Sequence, residues 1–111
     1  MTGNRAVRPA AFQILLALVH DDLHGLGIAK AVDAATGGSM RLGPGTLYRS
    51  LKEMSAEGLI ERVAAPEGHE DPRRRFYRIT GRGREVVHLE AARLARIVEV
   101  ARRKQVLPEA P

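Results

Sequence analysis

The spacing of apolar residues switches twice along this chain of 111 residues, and those switches limit the fold more than any other feature. Up to Gly58 the apolar residues recur three and four apart, as on one face of an α-helix. From Leu59 to Ile79 two short runs with β-branched and aromatic residues flank a stretch of turn chemistry, Pro66-Glu67-Gly68 and Asp71-Pro72. Beyond Thr80 the helical spacing returns and persists to about residue 105. A single hairpin inserted among helices is the arrangement this pattern allows.

The helical part divides at its glycines and prolines. A first helix is predicted over about 10–21, with Pro9 near its first turn. Phe12, Leu15, Leu16 and Val19 form one buried face, and Ile14 and Leu18 add a second apolar stripe. A second helix is predicted from about Gly25 to Thr36, with Ile28, Ala29 and Val32 inward and Gly37-Gly38 ending it. Met40-Arg41-Leu42 has room only for a stub strand. Gly43-Pro44 opens a third helix with Leu47, Leu51 and Met54 on its inner face, and Gly58 closes it. Leu59 to Val63 and Arg75 to Ile79 are the two strands of the hairpin; in the second, Tyr77 and Ile79 share one face and Phe76 and Arg78 the other. Thr80 is placed to cap the last helix, without a capping box because Gly83 stands where Glu or Gln would reach back.

In that last helix Val87, Ala91, Leu94, Val98 and Ala101 step four, three, four, three, with Ile97 and Val100 widening the stripe. This is the seam that packs one helix on another. The expected fold class is mainly α with a small β-hairpin: a winged helix-turn-helix plus a long C-terminal dimerisation helix. The expected domains are a basic arm over 1–9 carrying Arg5 and Arg8, the winged unit over 10–80, the dimerisation helix over 81–105 and a tail over 106–111.

Composition excludes several classes. With no cysteine there is neither a disulfide framework nor a thiolate metal site. No apolar run reaches the length of a membrane span, and Met1–Pro9 has no apolar core of a secretory signal, so a cytoplasmic protein is expected. Thr36, Ser39, Ser50 and Ser55 have no His/Asp constellation to activate them, and no phosphate-binding glycine motif is present. No cofactor and no enzymatic activity are expected. His20 and His24 are four apart, but they fall at a helix junction and read as polar caps of a turn rather than metal ligands; His69 and His88 have no evident partners in the sequence.

Eighteen Lys and Arg against thirteen Asp and Glu leave a net charge of +5, which favours polyanionic partners. Where the charges fall says more than their sum. With Leu47, Leu51 and Met54 inside, the wheel of the third helix sets Gly45, Arg49, Lys52 and Glu53 opposite, flanked by Thr46, Tyr48 and Ser50. A helix with one apolar and one polar face fits the major groove of duplex DNA, and Gly45 near its start permits close backbone approach. Arg49 is the first choice for a base or phosphate contact. Arg73, Arg74 and Arg75, with Arg78 beyond, form the densest cationic cluster, on a hairpin suited to reach the backbone or minor groove. Arg75 also fits a second role, bracing the wing.

The strings Ile14-Leu15-Leu16-Ala17-Leu18, His24-Gly25, Gly43-Pro44-Gly45-Thr46-Leu47-Tyr48-Arg49-Ser50-Leu51, Glu57-Gly58-Leu59-Ile60 and Arg74-Arg75-Phe76-Tyr77-Arg78-Ile79-Thr80 with Gly83 resemble, in order and spacing over residues 12–83, the PadR family of transcriptional regulators. The single last helix is similar to the short branch of that family. The resemblance implies a homodimer held by the C-terminal helix against the first helix, with Phe12, Leu15, Val87, Ala91, Leu94, Ile97, Val98 and Ala101 as candidate dimer residues. It also implies an inverted-repeat operator in double-stranded DNA, repression as the usual mode, often of the regulator's own promoter, and Tyr48 beside the DNA surface. Leu26 stands where the family usually has Tyr, Gly43 where Ser is common, and Phe76 replaces the first Tyr of a pair. The absence of Trp removes the tryptophan sandwich with which some relatives hold flat drugs, and any small-molecule effector is left unidentified. The rival reading of the same fold is a winged-helix protein–protein adaptor that does not bind DNA; a metal-dependent enzyme or sensor is a more distant one.

Overall fold

The computed structural model describes residues 7–108; Arg5 and the end of the expected tail, 109–111, lie outside the described residues. Among the described residues seven elements follow one another: α1 (Pro9–Ala17), β1 (Leu23–His24), α2 (Gly25–Ala35), α3 (Pro44–Ala56), β2 (Ile60–Val63), β3 (Phe76–Ile79) and α4 (Gly81–Arg103). The strands form one antiparallel sheet in the order β1-β3-β2. Ile60 lies opposite Ile79 and Val63 opposite Phe76, while Leu23 and His24 pair with Tyr77 and Phe76.

This is a winged helix, with two corrections to its sequence reading. The stub strand is Leu23–His24, before α2, and not Met40-Arg41-Leu42. The free edge of β3 is occupied by β1. Residues 36–40 instead make a turn closed by side chains. The Thr36 hydroxyl accepts the Met40 N–H at 3.1 Å and the Ser39 hydroxyl donates to the Thr36 carbonyl at 2.8 Å. Met40 and Leu42 still pack against the core, but as loop residues.

The second correction concerns α1, which stops at Ala17 rather than near 21. Leu18 and Val19 continue the apolar spacing in a tight turn, their N–H groups donating to Leu15 and Leu16 at 3.1 and 3.2 Å. The Val19 carbonyl is taken by the Arg84 guanidinium at 3.0 Å, and the chain then runs on to β1. Ile14, Leu15 and Leu18 are fully buried, and Ala11, Phe12 and Val19 pack against the core while partly buried, so the second apolar stripe lies deepest. Leu16, placed inside by the sequence reading, is 44% exposed.

The remaining ends form as their residues dictate. Gly58 adopts φ 78°, and the N–H groups of Gly58 and Leu59 return to the carbonyls of Ser55 (3.1 Å) and Met54 (2.9 Å). That is a Schellman closure, which needs a left-handed residue and so glycine. It turns the chain from α3 straight into β2. Thr80 caps α4, its hydroxyl accepting the Gly83 N–H at 3.0 Å and donating to the Gly58 carbonyl at 2.6 Å. The closure of α3, the base of the hairpin and the start of α4 are therefore one hydrogen-bonded joint.

The core gathers Ile14, Leu15 and Leu18 from the α1 segment, Ile28 and Val32 from α2, and Leu47, Leu51 and Met54 from α3. Leu59, Ile60, Tyr77 and Ile79 from the hairpin and Val87 from α4 complete it. Only the first part of α4 joins this core. From Ala95 to Val100 every residue is exposed in the single chain.

Candidate nucleic-acid interface

α3 owes its two faces to its sequence. Leu47, Leu51 and Met54 are buried, which turns Gly45, Thr46, Tyr48, Arg49 and Lys52 outward, all exposed. Nothing lies within 4 Å of where a Cβ on Gly45 would stand, so the start of the helix is open to a ligand. Glu53, read from the wheel as a member of the same face, is only partly exposed. Arg8, just before α1, holds its carboxylate at 2.7 Å. The expected basic arm thus lends one cation to α3.

The wing is the β2–β3 hairpin with its long connection. Arg73, Arg74 and Arg75 are exposed, and among the described residues none has a carboxylate within salt-bridge distance. With Arg62, Val63, Ala64 and Pro72 they line an open hollow of about 310 Å³ at the root of the wing. Asp71 accepts the backbone N–H of Arg73 at 3.1 Å. Arg78 departs from the expected cationic cluster. Its guanidinium forks onto Asp22, Nη2 to Oδ2 at 2.8 Å and Nε to Oδ2 at 3.2 Å. Arg78 thereby ties β3 to the turn before β1. The Asp22 hydrogen bonds, followed by its charge, raise the Arg78 pKa further above its ordinary value.

His24 and His69 form an aromatic cluster that the sequence reading missed. Their rings and that of Phe76 meet edge to face, with centroids 5.0–5.9 Å apart. His69, expected to lack partners, also accepts the Asp71 N–H at 3.0 Å. The signal was hidden because only the β1–β3 pairing brings His24 beside Phe76. His24 is the N-cap of α2, its Nδ1 accepting the Gly27 N–H at 3.0 Å. That leaves the proton of the neutral ring on Nε2, which the Arg74 guanidinium approaches at 3.4 Å. Burial, then the charges of Arg74, His69 and Lys30, lower the His24 pKa. With Nδ1 engaged in capping, His24 is a structural residue of the helix junction. Among the described residues no three His, Asp or Glu side chains gather in a metal-binding group.

The proposed dimer residues separate into two groups. Leu15 and Val87 are buried in the protomer's own core, which corrects their assignment as partner contacts: side chains enclosed there present nothing to a second chain. Phe12 and Leu94 are half-buried, Ala91 is exposed, and Ile97 (51% exposed), Val98 and Ala101 continue the Val87–Leu94 face beyond the end of the core. Between the two groups Glu90 is buried at 5% exposure. The Arg93 guanidinium forks onto it at 2.9 and 2.6 Å. That hydrogen bonding keeps the Glu90 carboxyl below its usual pKa, against the opposing effect of desolvation. Among the described residues no helix is long and apolar enough to cross a membrane.

Comparison with known proteins agrees with this geometry. The family model of the Transcriptional regulator PadR-like family matches residues 14–89. A PadR family transcription regulator from Clostridium difficile superposes with a TM-score of 0.74 at 25% identity, covering 86% of this chain and 97% of that one. Bacillus subtilis PadR, solved in complex with operator DNA, superposes with a TM-score of 0.63 at 19% identity, covering 96% of this chain and 51% of that one; at that identity the likeness shows the fold. An uncharacterized 37.1 kDa protein in transposon TN4556 of Streptomyces fradiae is 35% identical over 88 residues, 79% of this chain, which spans about a quarter (24%) of that protein's length. With the family model covering most of the winged helix and the start of α4, the chain belongs to the PadR-like family of transcriptional regulators.

Proposed function

We propose that this protein is a homodimeric, sequence-specific DNA-binding repressor with no catalytic activity, acting in the cytoplasm on an inverted-repeat operator. The observation that carries the reading is the pairing of two surfaces: the outward face of α3 and, on the adjoining hairpin, three arginines with no acid partner among the described residues. α3 enters the major groove with Gly45, Thr46, Tyr48, Arg49 and Lys52 toward the DNA, and Glu53, held by Arg8, at the edge of the contact. Arg49 reads a base or a phosphate. Arg73, Arg74 and Arg75 take the backbone or the minor groove.

A symmetric operator requires two copies. The stripe of exposed Ile97 and Val98 with half-buried Ala101 supports dimerisation, because contiguous apolar surface of this kind marks an interaction site. Leu16 and Phe12 on α1 extend the apolar surface available to the partner. In this reading residues 10–80 contact DNA and 81–105 join the protomers. Repression, and control of the regulator's own promoter, follow the family resemblance.

The test is a gel-shift titration against the gene's own upstream region. Binding in the nanomolar range that falls roughly 10³–10⁵-fold between 50 and 200 mM salt is expected from six to ten phosphate contacts. No shift even at low salt would overturn the reading in favour of a protein–protein adaptor.

A further inference from the structure

We propose that Gly25 is a positioning residue for operator binding, acting by leaving the space against which the Tyr48 ring is seated. The inference rests on the reading of α3 as the DNA-facing helix. Gly25 is the first residue of α2 and is buried. Its φ is not in the left-handed region, so its backbone does not demand glycine, and alanine is the better helix former. What a side chain at position 25 would disturb is the seat of Tyr48. A Cβ at position 25 would stand 3.0 Å from the Tyr48 Oη, 3.4 Å from Cζ and 3.5 Å from Cε1, its three nearest neighbours all in that one ring.

Tyr48 is a surface side chain. It is 57% exposed and projects from the outer face of α3 between Leu47 and Arg49. The hydroxyl end of the ring lies over Gly25 at the start of α2. The contact holds a large aromatic with a polar tip in one pose across the two helices of the DNA-binding unit. A side chain already fixed in its binding pose loses less freedom on association. A Cβ at 25 would lift the hydroxyl end of the ring by a few tenths of an ångström or send it to another rotamer, undoing that preorganisation. Gly27, two residues on, makes the contrast. A Cβ there would meet His24 and Leu23 at 3.5–3.6 Å, ordinary contact distance.

A double-mutant cycle on the whole protein tests the proposal, with fluorescence-anisotropy titration of the gene's own upstream duplex and thermal midpoints as readouts. Gly25→Ala is expected to weaken binding about tenfold when Tyr48 is present and less than twofold in the Tyr48→Ala background. Gly27→Ala is expected to stay within twofold of the wild type. Gly25→Ala should leave the melting temperature of Tyr48→Ala unchanged or raised, since the helix gains a better former and loses no contact. Equal losses of affinity in both backgrounds would overturn the proposal, as would a Tyr48→Ala protein that binds as tightly as the wild type. In the latter case a loss on Arg49→Ala would leave the DNA-binding reading standing. If the wild type itself does not bind, both fall.

Discussion

Gly83→Ala tests how α4 is seated on the winged unit. Gly83 is buried in the first turn of α4. A Cβ there would overlap the Leu59 carbonyl oxygen and lie 2.8 Å from Ile79 Cγ1 and 3.2 Å from the Leu59 carbonyl carbon. The oxygen cannot turn aside as the tip of a side chain can, because it accepts the Thr80 N–H at 3.0 Å. Two effects oppose each other. Alanine in place of glycine gains about 1 kcal/mol of helix propensity. Forcing a methyl into closed packing costs about 1–3 kcal/mol, and occasionally more. Here the contact is with hydrogen-bonded backbone, so the upper end applies and a net loss of about 2 kcal/mol is expected. For a domain of this size that is a fall of about 8–16 °C in melting temperature, at roughly 4–8 °C per kcal/mol. Gly81→Ala, in the same turn, is the control: nothing lies within 4 Å of its Cβ position, and its midpoint should match or slightly exceed the wild type. Thermal unfolding followed by circular dichroism reads both. A Gly83→Ala protein melting within 2 °C of the wild type, a margin well below the shift of roughly 4–8 °C that even 1 kcal/mol produces, would refute the reasoning that backbone proximity fixes this residue.

Three further predictions follow from the surface and from the histidine cluster. Ile97→Glu should convert a dimer to monomers in sedimentation velocity. Ile97 is already half covered in the protomer, at 51% exposure, so each of the two copies in a dimer gains about half of the roughly 1.5–3 kcal/mol of full burial; losing both corresponds to about 10–10²-fold in association, and an unchanged sedimentation coefficient would count against the α4 interface. Arg8→Ala should leave the melting temperature almost unchanged, since an exposed ion pair contributes about 0–1 kcal/mol. It should still weaken operator binding several-fold by freeing Glu53 beside the DNA, and adding Glu53→Gln should restore affinity. For His24 the sign follows from a pKa lowered from 6.5, chiefly by burial and then by Arg74. The fold favours the neutral ring, so its contribution to stability is complete above 6.5 and lost as pH falls through the depressed value. His24→Asn keeps a capping side chain without the titration, and its melting temperature should fall less between pH 7 and 5 than that of the wild type; parallel profiles would remove His24 from the account.

Much of this molecule was legible from local pattern. Pro44 and Gly58 bracket α3 in the sequence because one pre-sets a first-turn φ and the other accepts a left-handed one, properties each residue carries wherever it stands. Leu47, Leu51 and Met54 lie inside because three- and four-residue spacing puts them on one side of any helix. Thr80 caps α4 from its own neighbours. The outward residues of α3 and the arginines of the wing were legible for the same reason, being what remains once the apolar face is assigned. Other features depended on partners far along the chain. A two-residue strand has no period to read, so Leu23–His24 became β1 only because the edge of β3 lay beside it. Leu16 and Ile14 are equally apolar, and the choice of which is buried belonged to the packing of α1 on the core. Asp22 captured Arg78 across 56 residues, and His24 met His69 and Phe76 across the sheet. Leu15 and Val87 fit the dimer stripe by spacing, yet the protomer's own core encloses them. The sequence by itself determined which elements form and which face of α3 is polar, since both follow from interactions between near neighbours. Which backbone edges pair, which apolar side chains the protomer keeps and which it leaves at the surface were decided by the tertiary structure, because those outcomes depend on contacts between residues that only the completed fold brings together.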